Sequence, residues 1–245
     1  MPATDIFKLN DIMNQPTCFR VIGIGHDTSA IIDRVNSYGD DYVSATVIPY
    51  PQTCLPTDED EMVIIVAKEC RSQANSIAKI FHDAGILTIG LLDDADPECF
   101  DCVATGTVST DYAELINEIL KPVVTHGIID YGFNDLHDAL SGMKHFFIKS
   151  VSGHGDNRVA DAVGVINSVL TPSVLASIEH ISIFLYFNTR STLPLTMKEL
   201  EPITGLLQEF PENIEVYWGT YHDDTVNDHD IKITILASGK KLIHG

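Results

Sequence analysis

Between Phe19 and Leu92 the chain alternates short apolar runs with segments of helical period, and no other feature of the sequence restricts the fold as much. FRVIGIG (Phe19 to Gly25), MVIIVA (Met62 to Ala67) and ILTIGLL (Ile86 to Leu92) are compact, mainly apolar runs, and Val43 to Ile48 reads as a further strand, closed by Pro49 and Pro51. Compact apolar runs this short suit buried strands. Between them, Ser29 to Tyr38 places Ala30, Ile31, Ile32, Val35 and Tyr38 on one helical face, and Ser72 to Ala84 does the same with Ile77, Ala78, Phe81 and Ala84. Strands that alternate with helices in this way pair in parallel through right-handed crossovers. The first half is therefore predicted to be α/β with a parallel sheet.

After an acidic loop, a short strand is expected near Cys102 to Ala104, and a helix over Asp111 to Leu120 through Leu115, Ile116, Ile119 and Leu120. The second half has a different rhythm. Leu136 to Lys149 and Ala160 to Val169 read as helices, and Ile181 to Phe187 as a strand. Thr196 to Gln208 reads as a helix opened by a capping box of Thr196 and Glu199. Ile214 to Gly219 and Ile231 to Ala237 read as an antiparallel pair joined by a polar loop. Residues 1–18 carry little pattern and read as an arm or lead-in helix. The expected division is a domain over residues 1–125, ending in a connecting helix, and a second α/β domain with a mixed sheet over 126–245.

Thirty-five acidic residues against 15 basic ones give a net charge of −20. That balance argues against sequence-independent binding of nucleic acid and against direct binding to anionic membranes, both of which need a cationic surface. The start, MPATDIFKLN, lacks the basic and apolar regions of a signal peptide, and charged residues interrupt every apolar stretch, so a cytoplasmic location is expected. The five cysteines then read as reduced thiols. Cys99 and Cys102 form a lone CxxC without partner ligands at metal-binding spacing. His222, Asp223, Asp224, Asp228, His229 and Asp230 read as a solvated loop, so no metal site is expected.

Several blocks, in order, resemble the FtsZ/tubulin superfamily. FRVIGIG is similar to that family's first strand and glycine turn, and MVIIVA with AGILTIGLL to the strands around its signature loop. GIIDYGFNDL (Gly127 to Leu136) resembles the loop that reaches into the neighbouring subunit of a protofilament. SGHGDNRVADAV (Ser152 to Val163) is similar to the glycine-arginine motif and its helix. LTMKELEPI, YWGTYHDD and DIKITILASG resemble the closing helix and strands. Together these blocks cover roughly two thirds of the chain. The resemblance implies a shortened FtsZ-like protein with a cytoskeletal or cell-division-related role. Its partner would be itself or another FtsZ-like protein.

The departures bear on function. In the family a run of glycine amides cradles phosphate after the first strand. Here the turn reads Gly23, Ile24, Gly25, His26, Asp27, Thr28, Ser29, with a carboxylate where phosphate would lie. The signature loop reads Lys68, Glu69, Cys70, Arg71, Ser72, Gln73 and has no glycine, so its residues cannot easily take the positive-φ turns that aim successive amides at one anion. Gly23, Gly25, His26, Asp27, Lys68, Arg71 and Ser72 thus mark a degenerate nucleotide-binding region, and neither cofactor nor GTPase activity is expected. Aligned on Gly127 and Phe133, the cross-subunit loop carries Asp130, Phe133, Asn134 and Asp135. Asp135 matches the family's second acidic position, while Gly132 takes the first. Asp135 is equally readable as a helix cap. Two other readings stay open: a divergent, polymerising GTPase that holds GTP and magnesium through Lys68 and Arg71 with Asp135 as its catalytic residue, and a small-ligand module using the crevice at the strand ends.

Overall fold

The computed structural model describes residues 18–92, 98–105, 111–188, 190 and 195–242. The arm or lead-in helix expected over residues 1–18 lies, apart from Cys18, outside them. One nine-stranded sheet runs through the described chain in the order β2-β1-β3-β4-β5-β6-β9-β7-β8. Strands β1 (Phe19–Ile24), β2 (Val43–Ile48), β3 (Met62–Ala67), β4 (Leu87–Leu91), β5 (Cys102–Ala104) and β6 (Lys144–His154) are all mutually parallel. β9 (Asp230–Gly239) enters antiparallel between β6 and β7 (His180–Phe187), and β8 (Glu215–His222) closes the edge, parallel to β7. The fold is the expected one: parallel α/β, a connecting helix, then α/β with a mixed sheet.

The helices follow the apolar spacing. α1 (Ser29–Ser37) buries Ile32 and Val35, and α2 (Arg71–Asp83) buries Ala74, Ile77, Ala78 and Phe81. α2 stops at Gly85, which takes φ +79° and lets its own N–H reach His82 O (2.9 Å) and that of Ile86 reach Phe81 O (3.2 Å). α3 (Tyr112–Val124) is capped by Asp111, whose side chain accepts from Ala113 N and Glu114 N. α4 (Phe133–Leu140), α5 (Arg158–Val169), the single turn α6 (Pro172–Leu175) and α7 (Glu201–Gln208) complete the set. The Thr196–Glu199 capping box is present, opening a 3-10 turn (Met197–Leu200) that leads into α7.

Alternate strand residues feed different cores. Val21, Ile64, Ile89, Phe146, Phe184 and Leu236 share one apolar cluster with Ile116 and Ile119 of α3, so a single layer spans the sheet across residue 125. Ile22, Val63 and Ile65 face α2 on the other side, and Ile183, Ile233 and Ile235 face α5 and α7. The connection from β2 to β3 has no helix. Proline at 49, 51 and 56 forbids one, and the segment is instead pinned by Arg20, whose Nη1 donates to Leu55 O and Asp60 Oδ2, both at 3.0 Å.

Two sequence expectations fail. Leu136 to Lys149 is a short helix followed by the start of the longest strand, because Gly142 (φ +68°) and Lys144 (φ +70°) turn the chain out of the helix. β8 and β9 are not an antiparallel pair: β9 lies between β6 and β7, and β8 pairs with β7.

Candidate functional site

The sheet has two ends that matter. Strand order reverses at β1, with β2 on one side and β3 on the other, and ligands of open α/β sheets bind outside the carboxyl ends of strands at such a point. The structure places the β1–α1 turn and the β3–α2 turn there together: a Cβ built on Gly25 would lie 3.5 Å from Cys70 Sγ. Gly23 is buried near the end of β1, and Gly25 takes φ +86°. His26 and Asp27 are exposed in a 3-10 turn, Lys68 is exposed past β3, and Arg71 and Ser72 open α2, also exposed.

A phosphate cradle requires several free amides converging on one point. At this end three of the amides are engaged by the fold itself. Gly25 N–H donates to Ile48 O (3.0 Å), Thr28 N–H to Gly25 O (3.2 Å) and Arg71 N–H to Glu69 O (3.1 Å). Thr28, fully buried, donates its hydroxyl to Gly25 O at 2.7 Å, and its Oγ1 would be 2.4 Å from a Cβ on Gly23. The Asp27 carboxylate stands over the turn, with Oδ1 2.7 Å from the Cβ position of Gly25. The described residues here thus give a tight strand-to-helix turn with the Asp27 carboxylate at its mouth. Thr28 is the residue whose role the sequence did not disclose. Nothing in its neighbours signals that it turns inward.

The second end lies at the strand starts. The Phe133 ring packs 5.5 Å from that of Phe19, and a cavity of about 380 Å³ there is lined by Cys18, Phe19, Glu61, Asp130 and Gly132. β1 has six residues, so the loop and the glycine turn are separated by roughly 20 Å. The loop is fixed by β8. Ile128 N–H donates to Thr220 O (2.8 Å) and Thr220 N–H to Ile129 O (3.0 Å), a one-residue extension of the sheet edge. Tyr221 Oη accepts from Tyr131 N–H (3.1 Å) and donates to Pro122 O (3.0 Å), tying loop, β8 and the end of α3 into one buried node. Burial, together with the Asp130 and Asp135 carboxylates, pushes the Tyr221 phenol up to about 12, so it keeps the proton it donates. Tyr131 Oη meets Ser182 Oγ at 3.0 Å, and burial raises its phenol as well.

Both loop carboxylates bond to the backbone of their own loop, Asp130 while exposed and Asp135 while half-buried. Asp130 Oδ1 accepts from Gly127 N–H (2.7 Å), and Asp135 Oδ2 from Gly132 N–H (2.8 Å). Asp135 therefore caps α4, from its third position and not from the N-cap residue, which is Gly132. Asn134 is exposed beside it, and Phe133 is half-buried.

The mixed half is anchored to α3 by charges. Glu118 is buried, bonded to Lys232 Nζ and to Thr234 Oγ1 (2.9 Å), and Lys121 pairs with Asp223. Burial alone would raise the Asp223 carboxyl, but its bonds from Lys121 and Thr225 outweigh this and hold it below the usual range. Arg158, 1% exposed, meets Glu199 at 3.0 Å. None of the five cysteines is in a disulfide, and the described residues contain no group of three or more metal-ligating side chains. No described helix is long and apolar enough to cross a membrane.

Nine strands in this order, with a long helix laid across both halves and an ordered loop beneath the parallel strands, define the FtsZ/tubulin-like fold. Solved structures agree. An empty FtsZ dimer from M. jannaschii superposes with TM-score 0.69 at 13% identity, covering 98% of this chain and 93% of that one. A W319Y mutant of M. jannaschii FtsZ gives TM-score 0.69 at 12% identity, with both chains fully covered. TubZ of Bacillus thuringiensis serovar israelensis, in GDP-form protofilaments, gives 0.59 at 9% identity, covering 100% and 92%. No protein-family profile and no curated protein sequence matches the chain.

Proposed function

We propose that this chain is an FtsZ-like protein that works by head-to-tail self-association without binding or hydrolysing GTP. The observation that carries the reading is the state of the glycine turn, where Ile48 O and Gly25 O hold the Gly25 and Thr28 amides and the Thr28 side chain fills the space behind them. Asp27 and Glu69 add negative charge to a chain already at −20, which opposes an anionic ligand further. Association is supported by the neighbours, described as an FtsZ dimer and as TubZ protofilaments. It is supported as well by the placement of loop 127–135 and the glycine turn at opposite ends of the sheet. A contact between the loop end of one copy and the turn end of the next does not close on itself, and so gives stacks or filaments.

Sedimentation of the purified chain across a concentration series, with and without GTP and magnesium, tests both parts. Concentration-dependent assembly indifferent to nucleotide, with no phosphate released, is the expected outcome. Assembly that requires GTP, or turns it over, would replace this reading with that of a divergent GTPase.

A further inference from the structure

β8 is an edge of the sheet, and its parallel ladder with β7 uses the backbone groups of every second residue. Glu215 N–H donates to Glu179 O and Asp223 N–H to Phe187 O, both at 2.9 Å, so the odd-numbered residues of this stretch face β7. The N–H and C=O of the even-numbered residues therefore point outward. At Thr220 they are met by Ile129 O and Ile128 N–H of the loop. At Val216 and Trp218 they point past the edge, where no described strand pairs with them. Val216 is 37% exposed and Trp218 42%, and an open apolar edge is a template for a further strand.

The two faces of this edge differ. Trp218 borders a groove of about 640 Å³ whose lining includes Ile128, Met197 and Leu200. On the opposite face Tyr217 donates its hydroxyl to Glu215 Oε2 (3.1 Å). Burial, that bond and the nearby Asp138 and Asp135 carboxylates push the Tyr217 phenol up to about 12. One face is thus apolar, and the other gathers three carboxylates, of which Glu215 and Asp138 are exposed.

We infer that the open edge of β8 takes an extended segment of another protein, with apolar side chains on the Trp218 face alternating with lysine or arginine on the Tyr217 face. The outward ladder groups require an extended occupant, and successive side chains of a strand point to opposite faces. Its positive charge complements the three carboxylates and a chain at −20. The inference is independent of self-association.

The probe is a short synthetic peptide alternating valine and lysine, titrated into the full chain at fixed ionic strength. Trp218 is the only tryptophan, so its emission reports occupancy of the edge. The comparison peptides carry the same residues in two blocks, or N-methyl groups on all valine amides, or on all lysine amides. In a strand these two sets of amides point to opposite edges, so only one set meets β8. Saturable binding is expected, about tenfold weaker for one methylated peptide than for the other. Asp138→Lys, at an exposed position, should weaken it about threefold or more with an unchanged circular dichroism spectrum. Equal binding by the block peptide would reduce the effect to charge attraction and overturn the inference. So would two methylated peptides of equal affinity, indifference to Asp138→Lys, or no saturable response to the alternating peptide.

Discussion

The two ends of the parallel strands have been treated differently. At the glycine-turn end the Gly25 and Thr28 amides are bonded to Ile48 O and Gly25 O, and the buried Thr28 side chain fills the space behind the turn. At the loop end the polar atoms are satisfied internally too, through Thr220, Tyr221, Asp130 and Asp135, yet apolar side chains are left facing out. The difference teaches that a glycine turn has an architectural use of its own, because this strand-to-helix reversal needs the positive φ of Gly25 whatever lies beyond it. A loop that has settled its own polar groups can still be a contact surface.

Substitutions at the two ends should separate them by size of effect. Gly127→Ala should be the most damaging, at about 3 kcal/mol or more, because its Cβ would sit 2.5 Å from Thr220 O and 2.7 Å from Ile129 O, both backbone atoms that cannot rotate away. Gly23→Ala should cost about 2 kcal/mol, since the obstructing atoms, Thr28 Oγ1 and Ile32 Cγ1, belong to side chains that can shift. Urea unfolding of both variants checks the order. A larger loss at Gly23 would mean that the turn, not the loop, is the more tightly determined end. Tyr221→Phe removes the buried hydroxyl shared by Tyr131 N–H and Pro122 O, and should cost about 1 to 2 kcal/mol. It should also loosen residues 127–131, which hydrogen exchange would register as faster exchange there than at the glycine turn.

The smallest effect concerns pH. The Asp223 carboxyl is held below its ordinary value in the folded chain, so the unfolded chain takes up its proton first as pH falls. Its contribution is complete above the ordinary carboxylate pKa, about 4, and is lost as pH falls through the depressed folded value. Asp223→Asn should thus flatten the stability loss below about pH 4 and leave its slope near neutrality unchanged. An identical acid limb in the variant would place the acid sensitivity elsewhere.

Much of the fold was legible because strand, helix and turn are local matters. The apolar runs at Phe19, Val43, Met62 and Leu87 are strands almost to the residue, and the Thr196–Glu199 box opens its helical segment as its spacing indicates. What was hidden is long-range. In Leu136, Ala139, Leu140, Met143 and Phe146 the apolar spacing keeps a helical period past Gly142, and only the positive φ of Gly142 and Lys144 breaks it. Once in β6, Phe146 and Phe147 serve cores on opposite faces, so no polar alternation marks the strand. The polar link from β8 to β9 looks like a hairpin, but partner choice lies in the fit of Ile231, Ile233 and Ile235 against Ile183 and α5, which periodicity does not encode. At the candidate site the missing glycines were visible. The burial of Thr28 and the backbone bonds accepted by Asp130 and Asp135 were not, because side-chain direction depends on the turn geometry the folded chain imposes.

The central claim is that an FtsZ/tubulin-like fold here has no working place for nucleotide. Calorimetric titration of the purified chain with GTP and with GDP, in the presence of magnesium, addresses it most directly. No saturable binding in the micromolar range is expected. A dissociation constant below ~1 μM, on the order of −8 kcal/mol, would contradict the account.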